Sequence, residues 1–183
     1  MLYNHLAKHA TSEFTMLYLS RLLDIPYSSL RRAVGKLGDK VVHERKGHAN
    51  CVRIYTQHSD IIPYAAVASI EARDVFLKKY PLFKKVSKVC TKKDIMLLFG
   101  SYADGTQQPN SDIDLLIINK NGKRTIDFRS IEVLFDVSVH PLFISTLEMK
   151  KMLQDDHENV GKQALKKHIL LTNPIAFWEI VYG

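Results

Sequence analysis

The chain has 183 residues, a net charge of +7, 46% hydrophobic and 25% charged residues, which is ordinary globular usage, fits two small units and excludes disordered, collagen-like and coiled-coil classes. Its two cysteines, Cys51 and Cys90, offer neither a disulfide framework nor a close Cys/His zinc pattern and read as reduced thiols. The longest apolar runs, such as Ile95–Phe99, fall far short of the ~20 residues that cross a bilayer, and the first ten residues lack a signal segment, so the expectation is a cytoplasmic protein without a membrane partner.

Leu2–His9 and Met16–Leu23 carry apolar residues at helical spacing, and Pro26 stops the second of these helices. A third helix is expected from a cap at Ser28 or Ser29, with Leu30, Ala33, Val34 and Leu37 as its apolar stripe, Arg31, Arg32 and Lys36 on other faces, and Gly38 at its end. Val41–Glu44 and Cys51–Tyr55 read as two strands joined by the basic stretch Arg45–Asn50. Residues 1–62 hold 9 Lys and Arg against 5 Asp and Glu, a balance suited to a polyanion.

This order of helices and basic hairpin resembles a winged helix-turn-helix domain over roughly the first 57 residues. The resemblance implies that the third helix enters a DNA groove and the wing touches the backbone, making Arg31, Arg32, Lys36, Arg45, Lys46 and Arg53 the contact candidates. Such domains also make protein contacts, so DNA, a partner protein and a homodimer all stay open.

Residues 63–94 are expected to connect this domain, 1–62, to a second domain within 63–183. Pro63–Val89 reads as helix broken at Pro81, and the cluster Lys78, Lys79, Lys84, Lys85, Lys88, Lys92 and Lys93 reads as solvated helix faces.

Ile95–Phe99 is apolar throughout, as a central strand covered on both faces should be, and Gly100 ends it where the backbone must turn. A short helix opened by Ser101 is expected next, and its first N–H groups with the Ser101 hydroxyl would suit a nucleotide's phosphates. Asp112 and Asp114 are two residues apart in the following strand and therefore share a face. Two close carboxylates repel unless a divalent cation joins them, and hard oxygen ligands suit Mg²⁺ or Mn²⁺. The run Glu132–His140 alternates like a strand, with Val133, Phe135, Val137 and Val139 on one face and Asp136, Ser138 and His140 on the other. Asp136 is the candidate third carboxylate, ahead of Asp104, Asp127 and Glu132.

Gly100-Ser101, ten intervening residues, then Asp112-x-Asp114 resembles the minimal nucleotidyltransferases of the DNA polymerase beta superfamily, including their antitoxin branch. The resemblance spans about residues 63–183 and strictly 95–140. It implies nucleotide binding by Gly100, Ser101 and Ser111. It also implies a catalytic and metal-binding set of Asp112, Asp114 and Asp136 around two Mg²⁺ ions, Mn²⁺ being an alternative. The implied activity moves a nucleoside monophosphate from an NTP, with ATP expected, to a hydroxyl on a protein, RNA or small molecule, with loss of pyrophosphate. A toxin-like partner protein is one acceptor, and a DNA-binding regulator with a nucleotide-sensing second domain is the competing reading.

Ser145–Leu153 and Asn159–Leu171 read as helices, followed by a tail, Pro174–Tyr182, whose Phe177 and Trp178 belong to the core. The absence of a Walker A lysine pattern disfavours a P-loop NTPase, and the absence of a Ser/His/Asp or Cys/His pattern disfavours a hydrolase. The expected fold class is α+β: the winged helix-turn-helix plus a nucleotidyltransferase fold with a small mixed sheet flanked by helices.

Overall fold

Apolar residues at helical spacing close the first unit. In the computed structural model, which describes residues 2–9, 12–55, 60–91 and 93–183, helix α1 (Leu2–Lys8) buries Leu2, Tyr3, Leu6 and Ala7. Strand β1 (Phe14–Thr15) leads into α2 (Met16–Leu22), and the Thr15 side chain caps that helix by accepting from the Tyr18 backbone N–H at 3.2 Å. Helix α3 (Tyr27–Leu37) begins immediately after Pro26 and has no side-chain cap, whereas the sequence suggested a serine cap. Proline there has no N–H to leave unpaired, and its carbonyl accepts from Leu30 N–H at 2.9 Å. Strands β2 (Val41–Lys46) and β3 (Ala49–Ile54) form a longer hairpin than expected, so Arg45 and Lys46 lie within β2. The antiparallel sheet has the order β1-β3-β2.

Helix α4 (Ile61–Lys79) follows, and α5 (Phe83–Val86) comes after the interruption at Pro81. The chain divides into two compact units: residues 1–68 with 182–183, and residues 69–181. The division falls inside α4, although the change in composition comes at its start. Lys92 of the lysine cluster lies outside the described residues.

The second unit contains β4 (Ile95–Phe99), α6 (Gly100–Asp104), β5 (Ile113–Asn119), α7 (Arg129–Phe135), β6 (Val139–Ser145), α8 (Thr146–Gln154), α9 (Val160–Lys166), β7 (Ile169–Leu170) and α10 (Pro174–Tyr182) up to Val181. Its sheet has the order β6-β5-β4-β7, with β5 and β6 parallel and the other pairs antiparallel, which makes it the expected mixed sheet. Met96, Leu98, Ile113, Leu115 and Ile117 pack with Phe76, Phe83, Phe128 and Ile131 into its core. Among the described residues no helix is long and apolar enough to cross a membrane.

Two expectations need correction, and the tail keeps its expected core residues. The Asn159–Leu171 segment is α9, capped by the Asn159 side chain, followed by the edge strand β7. The tail is helix α10, with Phe177 and Trp178 fully buried and Trp178 Nε1 donating to Ser69 Oγ at 2.9 Å. The alternating run from Glu132 is not one strand: residues up to Phe135 belong to α7 and Val133 is 86% exposed. Local hydrogen bonds account for this helix. Asp127 Oδ1 accepts from Arg129 N–H, and the Phe128 carbonyl accepts from the Ile131 and Glu132 N–H groups at 2.8 and 3.0 Å. These override the β preference of valine and phenylalanine, which mainly reflects packing on a sheet.

Candidate active site

The turn after β4 sets the site. Antiparallel pairing places Phe99 opposite Asp114, so the next residue, Gly100, lies against the Asp114 side chain. Gly100 has φ +65°, and a Cβ built on it would stand 2.2 Å from Asp114 Oδ2. Both conformation and space therefore require glycine. Helix α6 starts at this residue and ends at Gly105, where the Ser101 carbonyl accepts from the Gly105 and Thr106 N–H groups. Ser101 is half-buried. The Ser111 hydroxyl accepts from Gln108 N–H at 2.8 Å and holds the loop that returns to β5.

Asp112 immediately precedes β5 and Asp114 is its second residue. The parallel register of β5 and β6 pairs Asp114 with His140, whose Nδ1 is 3.7 Å from Asp112 Oδ2. Burial raises the Asp114 carboxyl above its ordinary value, with His140 opposing and the charge of Asp112 reinforcing the rise. Neither aspartate pairs with a lysine or arginine among the described residues. The structure thus brings Gly100, Asp112, Asp114 and His140 together.

Asp136 does not join Asp112 and Asp114 on a neighbouring strand. It caps α7 in the left-handed conformation, φ 51° and ψ 54°, before β6 begins. It lines a separate cavity of about 420 Å³ with Ser111, Glu132 and Ser138. The three-carboxylate arrangement expected from strand alternation is not formed, because the segment turns at Asp136 and enters the sheet only at Val139, which leaves His140 opposite Asp114 in the register. Among the described residues no group of three or more His, Cys, Asp and Glu side chains is gathered closely enough to hold a metal. The other acidic competitors have structural partners: Asp127 holds the start of α7, Glu132 Oε1 accepts from Val139 N–H at 2.9 Å, and Asp104 meets Lys167 at 3.5 Å.

A second cavity of about 540 Å³ opens beside Gly100 and Asp114, and its far wall is Gln163, Lys166 and Lys167 from the end of α9. Sequence reasoning missed these three residues. They carry no motif, and some fifty residues separate them from Asp114.

Residues 84–174 match the family described as polymerase beta, nucleotidyltransferase. The matched segment contains Gly100, Ser101, Ser111, Asp112, Asp114 and His140 and also the α9 lysines. No curated protein matches the chain. A solved structure, "Crystal structure of the toxin-antitoxin with AMP-PNP", is similar at 18% identity with a TM-score of 0.33, over 58% of this chain and 82% of that one.

In the first unit, Arg31, Arg32 and Lys36 are exposed along α3, Arg45 and Lys46 at the hairpin end and Arg53 on β3. Lys46 Nζ pairs with Glu13 at 2.8 Å, and Arg45 Nε donates to the Gly47 carbonyl at 3.2 Å.

Proposed function

We propose that the second unit transfers a nucleoside monophosphate from an NTP, with ATP the expected donor, to a hydroxyl acceptor. The observation that carries this reading is the Asp114 carboxylate pressed on the bare backbone of Gly100 with Asp112 beside it, inside a segment matching a nucleotidyltransferase family. A half-buried carboxylate next to a second one, with no lysine or arginine paired to either among the described residues, is a donor set a divalent cation neutralises. Asp112 and Asp114 would hold Mg²⁺ or Mn²⁺, which when bound supplies charge neutralisation at the reacting phosphate. With Asp136 at the end of α7 and not on β6, this set suits one ion rather than two. His140 is the neighbouring donor.

Gly100 borders the cavity through which a phosphate would reach the turn, while Ser101 contributes a hydroxyl and Ser111 shapes the loop. In the reaction the acceptor oxygen bonds to the α-phosphorus as the bond to the bridging oxygen breaks. Pyrophosphate leaves and the acceptor proton passes to solvent. Most of the acceleration comes from positioning and electrostatics. Asp112→Ala or Asp114→Ala should abolish transfer of label from an NTP labelled at its α-phosphate, while circular dichroism shows an unchanged fold; equal transfer by wild type and variants refutes the assignment.

A second reading concerns the first unit. Its helix, strand, two helices and hairpin, the sheet order β1-β3-β2 and the six exposed basic residues support a winged helix that contacts DNA. A salt-dependent mobility shift lost on replacing Arg31 and Arg32 by alanine tests it. Capture of a partner protein without DNA binding would point instead to protein recognition, in line with the motif's likeness to antitoxin-type enzymes.

A further inference from the structure

The cavity beside Gly100 carries opposite charges at its two ends. At one end Asp114 is half-buried, with His140 across the sheet register but no lysine or arginine paired to it among the described residues. At the other, Lys166 and Lys167 stand exposed beside Gln163. Lys166 Nζ reaches Glu158 at 2.9 Å, whereas Lys167 reaches Asp104 of α6 at 3.5 Å. The Lys167 ammonium is therefore directed across to α6 at the rim of the cavity instead of back along its own helix. A cation alone would satisfy the acid and an anion alone the lysines. A metal-bound polyphosphate satisfies both ends at once, and a volume of about 540 Å³ is in the range of small-molecule sites.

We infer that Lys166 and Lys167 bind the outer phosphates of the nucleotide, a role that rests on the nucleotidyl-transfer reading above and extends it to the orientation of the substrate. The β- and γ-phosphates then lie against α9 and the α-phosphate against Asp112 and Asp114, so the lysines hold the group that leaves as pyrophosphate. Lysine ammonium groups form charge-assisted hydrogen bonds to phosphate oxygens, and exposed ones can exchange a carboxylate partner for a polyphosphate at small cost. Gln163 adds an amide donor on the same wall. The site prefers a triphosphate to a monophosphate, whichever base the nucleotide carries.

The test is equilibrium binding of the β,γ-imido analogues of ATP and GTP, and of AMP and GMP, to the full chain with Mn²⁺. Wild type is compared with the Lys166→Ala/Lys167→Ala variant, the Lys166→Arg/Lys167→Arg variant and, as a control on an exposed lysine outside the cavity, Lys151→Ala. The inference expects the alanine pair to weaken triphosphate binding about tenfold or more while changing monophosphate binding by no more than about twofold, with arginine preserving affinity. Unchanged thermal melting of the alanine pair separates this from misfolding, and the milder Lys166→Gln/Lys167→Gln pair replaces it if it melts early. If wild type binds the triphosphates and the alanine pair binds them equally well, the lysines serve only their ion pairs and the inference fails while the transferase reading stands. Equal weakening of mono- and triphosphate also overturns it. Failure of wild type to bind any triphosphate removes both.

Discussion

Replacing Gly100 by alanine separates two costs that coincide at that position. An L-residue in the left-handed region costs about 1–2 kcal/mol. The new Cβ also meets Asp114 Oδ2 at 2.2 Å, so the carboxylate must retreat by more than an ångström to reach the 3.4 Å of ordinary contact. Overpacking of this kind adds about 1–3 kcal/mol. Gly105, five residues on, supplies the internal control: it has φ +74° and nothing within 4 Å of a built Cβ. Gly105→Ala should therefore cost about 1–2 kcal/mol, and Gly100→Ala about 2–5 kcal/mol. Urea unfolding followed by the fluorescence of Trp178, the single tryptophan and a fully buried residue of the second unit, reads both values. In an Asp114→Gly background the excess of Gly100→Ala over Gly105→Ala should vanish. An excess that is absent in the wild-type background, or persists without the carboxylate, would refute the close approach on which the site is built.

Two further outcomes follow from the charged groups. Burial raises the folded-state pKa of Asp114, so its contribution is fully present below the ordinary carboxylate value of 3.8 and is lost as pH rises through the folded value. Asp114→Asn should therefore gain stability relative to wild type between pH 3.5 and pH 7 in chelator; a difference independent of pH in urea titrations would contradict this. Asp94 behaves in the opposite sense: burial alone would raise it, but Arg124 and Thr91, which donate to its carboxylate, hold it below its usual value. Arg124→Ala should cost about 1–3 kcal/mol at pH 7, and the gap from wild type should narrow as pH falls and Asp94 becomes protonated, as measured by unfolding at pH 3 and 7.

Much of the candidate site is written in local chemistry. Ile95–Phe99 reads as a strand because it is apolar throughout, and four of its five residues are buried. Gly100 marks the turn, Gly105 ends the short helix, and the spacing to Asp112 and Asp114 brings the chain back antiparallel beside β4. Each of these features depends on neighbours within about twenty residues. The Glu132–His140 run shows where such reasoning fails. Its alternation of apolar and polar residues is equally compatible with a short helix, a left-handed residue and a strand that starts late. Displacing the strand start from Glu132 to Val139 leaves His140 as the side chain beside Asp114 and sends Asp136 to another cavity.

The sequence by itself determined the composition class, the mixed α and β character of the second unit and the Gly-Ser turn with its two aspartates, because backbone conformation at glycines and the facing of i and i+2 residues are short-range properties. Tertiary structure alone decided that His140 pairs with Asp114 and that Lys166 and Lys167 face the Gly100 cavity. Strand register and helix placement come from burying Ile113, Leu115 and Ile117 together with residues far away in the chain, and no local pattern encodes which distant side chain that burial delivers.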